Sequence, residues 1–259
     1  MKAAIKKITN LITKPARMRR FQALKDEGLP EPIVSAVSFL LSGGERVDKV
    51  VSSVESARQE IAKGGSQPVE ILYSPKPGSS GSKSTPEIRP EPGVPLNFTM
   101  ERVARTGKDK TWGSVLYILA RESRAEVLLE LGTCAGMSAA YLASSEHCKE
   151  LHTVEGSAAL SELARETLQK VTTKAHVYNE LFDDALDTLL HDLPHVDLTF
   201  IDGHHEKVAT IHYWERIAPK MRPGGWLYLM ISPGRKICAT GGSIFQGNHS
   251  FLMPPIWGR

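Results

Sequence analysis

Cysteine is scarce: Cys134, Cys148 and Cys238 are the three in 259 residues. They lack metal-ligand spacing, and an odd count leaves one unpaired, which argues against a disulfide scaffold and for a reducing compartment. No apolar run approaches the length of a membrane span, so no transmembrane segment is expected. The N-terminus carries eight Lys or Arg residues and no acid from Met1 to Lys25. Its charges are interleaved with short apolar pairs and no apolar h-region follows, so it does not read as a signal peptide, and a cytoplasmic location is expected. A large charge excess is also missing, and the net +3 is too small to imply a nucleic-acid partner. What remains is 41% hydrophobic and 24% charged, an ordinary globular composition that argues against disorder along the whole chain. At this length one α/β domain with a sizeable core and an appendage can form.

Three regions separate on composition, followed by a tail. Residues 1–63 read as helical. Ile33, Val34, Val37, Leu40 and Leu41 recur at helical spacing up to Gly43-Gly44. A second helix is expected from Glu45 to Lys63, with Val47, Val50, Val51, Val54 and Ile61 on one side. The basic start reads as a solvated helix face rather than a membrane contact, because its apolar side is thin. Residues 64–96 are rich in Pro, Gly, Ser and Lys and bury too little apolar surface to offset their ordering entropy, so they read as a linker with one short strand at Val69–Tyr73. Over 97–231 helices and apolar strands alternate. Strands are expected at Glu126–Leu131, Leu151–Val154, Ala175–Tyr178, Asp197–Ile201 and Trp226–Met230. Helices are expected at Trp112–Arg121, Met137–Ser144, Ala158–Val171, Asp184–Leu190 and Glu206–Lys220. Such alternation implies an α/β fold, a Rossmann-like doubly wound, mostly parallel sheet covered on both faces. Residues 232–259 carry no periodicity.

The first strand ends in ELGTCAGMS. Gly132 and Gly136 stand where a strand turns into a helix, and glycine there permits positive φ and close approach of a ligand to the backbone. A dinucleotide fingerprint would read G-x-G-x-x-G and deliver a pyrophosphate to the helix N-terminus. Here Cys134 takes the middle position and Glu130 adds an acid that would repel a pyrophosphate. S-adenosylmethionine (SAM) has no phosphate, and its amino-acid end and sulfonium suit such a cradle. Ser138 can add a hydroxyl. Glu155 ends the second strand, where an acid can accept from both ribose hydroxyls of an adenosine. After the third strand, Phe182 could pack on an adenine face. Asp183 could accept from the adenine amino group, and helix N-capping by Asp183 or Asp184 competes with that role.

The fourth strand leads into FIDGHHEKVATIHYWERIAPKMRPGGW. With ELGTCAGMS and Glu155, this run resembles the class I SAM-dependent methyltransferases, and among them the small-molecule O-methyltransferases related to the catechol and caffeoyl-CoA enzymes. The resemblance covers roughly Asn97 to Tyr228. It implies that Glu130, Gly132, Thr133, Gly136, Ser138, Glu155, Asp183 and Asp202 line the SAM site. It also implies that Asp202 stands where the metal-dependent branch keeps its first carboxylate ligand for Mg²⁺, and His205 where that branch keeps a catalytic lysine. His204 lies at the same strand end. Methyl transfer to oxygen needs a positioned hydroxyl and a base for its proton, and a histidine titrating near the working pH fits that need.

The departure comes after Tyr228. Related enzymes continue the fifth strand into a Phe-Asp-Asp-Ile-like run that completes the metal site. Here Leu229-Met230-Ile231-Ser232 follows, with no acid from there to the C-terminus. A one-base slip in the reading frame after Tyr228 is one hypothesis for the break. Codons such as TTT-GAT-GAT-ATC for Phe-Asp-Asp-Ile, less one T, would read TTG-ATG-ATA-TC, encoding Leu-Met-Ile and opening a serine codon, and resequencing the gene tests it. The leading expectation is therefore a SAM-dependent O-methyltransferase acting on a small hydroxylated acceptor. Against it stand a SAM-binding remnant without turnover and an NAD-dependent oxidoreductase, the latter disfavoured by Glu130 and the missing fingerprint. The sequence leaves a homodimer open.

Overall fold

The computed structural model describes residues 15–42, 47–73, 96–204, 207–229 and 250–252. His205 and most of the acid-free tail lie outside the described residues.

The periodic segments become helices whose ends are set by local chemistry. Helix α1 covers 15–26, α2 Glu31–Ser42 and α3 Asp48–Ala62. Strand β1, Pro68–Ile71, pairs antiparallel with β2, Leu96–Thr99. Helix α4, Met100–Thr106, starts where Thr99 accepts a hydrogen bond from the Arg102 N–H. Helix α5, Lys110–Glu122, starts at Asp109, whose carboxylate accepts from the Thr111 and Trp112 N–H groups. Such caps satisfy donors that the first turn leaves over. Sequence periodicity missed β2 and α4, because each is too short to establish a repeat.

The remaining elements are β3 (Val127–Leu131), α6 (Met137–Ala143), β4 (Glu150–Val154), α7 (Ala158–Val171), β5 (Ala175–Tyr178), α8 (Phe182–Asp192), β6 (Val196–Ile201), α9 (Lys207–Ile217), β7 (Met221–Leu229) and β8 (Ser250–Leu252). Helix α9 gives way to a 3₁₀ turn at Ala218–Lys220, because Pro219 lacks the N–H an α-helix would need. Strand β7 begins before the expected Trp226. Its register against β6 shifts between Val196 and Leu198, so Arg222-Pro223-Gly224-Gly225 forms an irregularity inside the strand. A short β8 adds to β7, although its sequence carries no strand alternation.

The large sheet has the order β5-β4-β3-β6-β7-β8, and every neighbouring pair is parallel. This is the Rossmann-like doubly wound α/β architecture. Strand β3 is buried at all five positions, as the centre of a sheet covered on both faces requires. Leu128, Leu151, Leu198 and Phe200 face one apolar cluster that also takes in Ile33, Val54, Ile61, Val69, Ile118 and Tyr141. Leu129, Leu131, Val154 and Ile201 face a second cluster closed by Leu186, Leu189, Tyr213 and Ile217. The first cluster is continuous from α2 and α3 into the sheet, so the N-terminal helices share its core.

The winding sets the site. The chain moves outward from β3 through β4 to β5, then crosses back to β6 on the other side of β3. The carboxyl ends of β3, β4 and β6 meet at this reversal, where open α/β sheets form their ligand crevice.

Candidate functional site

Strand β3 delivers Glu130 to the crevice on the same sheet face as Leu128. The cross-strand partners of Glu130 are Thr153 and Phe200, and the residue is 0% exposed. Thr153 Oγ1 donates to Glu130 Oε2 at 2.5 Å, and Thr133 Oγ1 lies 2.5 Å from Thr153 Oγ1. Glu130 Oε1 has no hydrogen-bond partner. Burial pushes the Glu130 carboxyl up to about 7, while the Ser138 and Thr153 hydroxyls and Lys108 pull it down. A buried acceptor without a donor costs free energy, which a ligand N–H group can recover.

The turn from β3 into α6 depends on its glycines. Gly132 has φ of 106°, and a Cβ there would lie 2.7 Å from the Asp202 carbonyl oxygen. The ends of β3 and β6 approach so closely that only glycine fits. Gly136 is the left-handed N-cap of α6, at φ 85°, with Ala164 of α7 close behind it. Both glycines are thus required by packing of the chain itself. Two non-glycine residues also take the left-handed conformation at this edge, Cys134 at φ 50° and His204 at φ 63°. Such positions persist only where surrounding structure enforces them.

Glu155, at the end of β4, is buried and turned onto the glycine turn. Its Oε2 accepts from the Cys134 N–H at 2.9 Å and its Oε1 from the Ser157 N–H at 3.0 Å. Burial pushes this carboxyl up to about 7, and the backbone N–H groups act in the opposite direction. Tyr73 pairs with Ser157 in an isolated bridge, and its ring leaves no room for a side chain at position 156. Burial, followed by Glu155 and Cys134, raises the Tyr73 phenol, so the end of the N-terminal segment lies beside the same acid.

Asp202 follows β6, with its N–H donating to the Leu131 carbonyl at 2.9 Å. Its Oδ2 pairs with Lys108 Nζ at 2.6 Å. His204 places Nδ1 2.8 Å from the Tyr213 hydroxyl of α9. The structure therefore brings Glu130, Gly132, Thr133, Ser138, Glu155 and Asp202 around one strand-end crevice, with His204 at its β6 side.

Asp183 is used differently from the sequence expectation. Its Oδ1 accepts from Arg216 Nη1 and lies 2.6 Å from His212 Nε2, so the carboxylate braces α8 against α9. Neither Asp183 nor Asp184 caps α8, whose N-cap is Leu181 without a side-chain bond; both acids lie in its first turn, where the helix dipole favours them. The Phe182 ring packs against Gly203, where a Cβ would meet it at 2.5 Å, and stands edge-on to Tyr213.

Sequence reasoning missed Lys108, Arg58 and Tyr73. Their partners lie far along the chain, and nothing in their local pattern marks them. No metal-binding group of three or more His, Cys, Asp or Glu forms among the described residues. No described helix is long and apolar enough to cross a membrane.

Residues 129–229 match the family model described as "Methyltransferase domain". No curated protein matches the chain. Among solved structures, an O-methyltransferase from Bacillus cereus in complex with SAH is 20% identical over 74% of this chain and 70% of that one, with a TM-score of 0.48. The O-methyltransferase TomG of tomaymycin synthesis from Streptomyces achromogenes, in complex with SAM, is 21% identical over 76% and 72%, with a TM-score of 0.44. A SAH-bound methyltransferase from Podospora anserina is 19% identical over 76% and 69%, with a TM-score of 0.45.

Proposed function

From the methyltransferase domain matched over residues 129–229, we propose that this chain binds SAM and transfers its methyl group to a hydroxyl of a small molecule. The observation that carries this reading is Glu130. It is a fully buried carboxylate at the sheet's reversal point, with one oxygen that no donor meets in hydrogen-bond geometry, although the Ser138 hydroxyl lies near enough to lower its pKa. A cationic or N–H-bearing group is needed there and a pyrophosphate would be repelled. The α-ammonium of SAM has that chemistry. Ser138, in the first turn of α6, offers a hydroxyl to the amino-acid end. Glu155 keeps a second lone pair on each oxygen for ribose hydroxyls, and Phe182 offers a ring beside Gly203 for the adenine.

Bound SAM supplies a sulfonium-activated methyl group open to in-line displacement. The chain must then hold the acceptor oxygen in line and accept its proton. His204 suits the role of proton acceptor, because with Nδ1–H donating to Tyr213 its Nε2 is the basic nitrogen. Holding the two reactants together would contribute ~7–11 kcal/mol by analogy with intramolecular reactions. Mg²⁺ does not fit this donor set. Asp202 is already paired with a lysine, and the last acid in the chain is Glu215.

The test is calorimetry of the full chain with S-adenosylhomocysteine (SAH) and, separately, NAD. Binding of SAH, with none of NAD, is expected. Binding of NAD without SAH would turn the assignment to an oxidoreductase. A second reading, cofactor binding without turnover, draws support from the acid-free sequence after Tyr228. SAH affinity with no methyl transfer to a panel of hydroxylated acceptors would favour it.

A further inference from the structure

The Lys108–Asp202 pair is built into the molecule. Both side chains are largely withdrawn from solvent, at 18% and 15% exposure. The pair joins the loop before α5 to the end of β6, and the lysine's backbone is fixed from three directions. Arg58 of α3 donates through Nη2 to the Lys108 carbonyl and through Nη1 to the Ala104 carbonyl at 2.6 Å. Glu55 holds that guanidinium at 2.9 Å and accepts from the Tyr141 hydroxyl of α6 at 3.1 Å. Gly107 leaves room for Met137, which a Cβ would meet at 2.7 Å. Asp109, on the other side, caps α5. A freely rotating surface lysine has no such scaffold.

The position of this ammonium matters because of its partner. By resemblance Asp202 is the residue that holds a divalent cation in the metal-dependent O-methyltransferases. A lysine Nζ at 2.6 Å from Oδ2 fills the same electrostatic need with a fixed +1 charge, which the chain carries itself. It also occupies Oδ2, so a metal approaching that oxygen would have to displace a held cation, and no group of three or more His, Cys, Asp or Glu gathers around it among the described residues. The sequence after Glu215 supplies no further carboxylate.

We propose that Lys108, positioned by Arg58, serves as the resident counter-charge of Asp202 in place of a divalent metal, so that this site is metal-independent. The proposal rests on the methyltransferase reading only for its use, because the pair itself is a property of the folded chain.

Mn²⁺ binding read by electron paramagnetic resonance on the full chain tests it, with and without SAH. The wild type is expected to take up no stoichiometric Mn²⁺ at millimolar concentration. Lys108→Met keeps the aliphatic stem and removes the charge, and it should gain Mn²⁺ affinity by at least about tenfold, the scale on which neighbours of metal ligands act. Adding Asp202→Asn should abolish that gain, and Lys108→Arg should behave as wild type. Circular dichroism melts establish that each variant is folded. Should Lys108→Met not fold, the wild type and Asp202→Asn still decide the matter: stoichiometric Mn²⁺ in the wild type that Asp202→Asn removes overturns the proposal, and its absence upholds it. A folded Lys108→Met that binds no more Mn²⁺ than wild type also overturns it. SAH calorimetry in EDTA and in Mg²⁺ reads the other question separately. Equal affinity in both is expected. A higher affinity in Mg²⁺ that Asp202→Asn removes counts against metal independence. Complete absence of SAH binding defeats the methyltransferase reading without touching the Mn²⁺ result.

Discussion

Glu130 concentrates the tension between stability and binding in one side chain. Burial raises its carboxyl from 4.5 to about 7 in the folded state, and Glu155 is raised likewise. A raised carboxyl means that the folded state binds more protons than the unfolded one. The contribution of both groups is therefore fully present below about 4.5 and is lost as pH climbs through about 7. At one carboxyl the full loss is on the order of 3 kcal/mol. Glu130→Gln removes the titration and keeps the shape. It should raise ligand-free stability above neutral pH by about 1–3 kcal/mol, leave it nearly unchanged in acid, and weaken SAH binding at least about tenfold. Chemical denaturation at two pH values and calorimetry check this, and identical denaturation midpoints above neutral pH would refute it. Gly132→Ala meets both a left-handed φ and the Asp202 carbonyl. It should destabilise by about 1–3 kcal/mol or more, as a thermal melt would read.

At the scale of elements, α8 and α9 are stapled through Asp183. Arg216 reaches Asp183 and also Asp187, but Asp187 is 81% exposed while Asp183 and Arg216 are largely covered. Exposed pairs contribute little, and covered ones leave an unpaired charge when broken. Arg216→Ala should thus cost about 1–3 kcal/mol in urea denaturation, and Asp187→Ala less than about 0.5 kcal/mol. The same geometry separates two roles for Asp183. Asp183→Asn should lower stability while shifting SAH affinity by less than about threefold, well under 1.4 kcal/mol. A loss of SAH binding with unchanged stability would return Asp183 to the adenine pocket.

Across the whole molecule, the N-terminal helices contribute more than a solvated appendage would. Ile33, Val54 and Ile61 lie in the same apolar cluster as Leu128 and Leu151, and Arg58 carries hydrogen bonds from α3 to Ala104 of α4 and to Lys108 just before α5. Arg58→Met should cost about 2–3 kcal/mol, measured by denaturant unfolding. A chain beginning at residue 64 should lose cooperative unfolding, because the apolar faces of α5, α6 and α7 that α2 and α3 cover would be exposed. A sharp, unchanged transition in that truncated chain would show instead that the helices are separable.

Much of this was legible in the sequence because it depends on local periodicity. The run of Val127 to Leu131 could only be a strand buried on both faces, Ala158–Val171 only an amphipathic helix, and a glycine turn after Glu130 only a tight strand-to-helix corner. Those constraints act between residues a few positions apart, so order along the chain determined the α/β class and the strand ends that carry Glu130, Glu155 and Asp202. Folding decided which side chains those acids meet. Asp183 turns to Arg216, Glu155 to the Cys134 and Ser157 amides, and Asp202 to Lys108. Ser157 is a local partner two residues on, but the Cys134 amide reaches Glu155 only through the pairing of β3 with β4. Arg216 and Lys108 come from elements that the crossover from β5 to β6 and the packing of α3 on the core bring near. Short-range propensity has no term for such contacts, because their free energy appears only once distant segments have excluded water together.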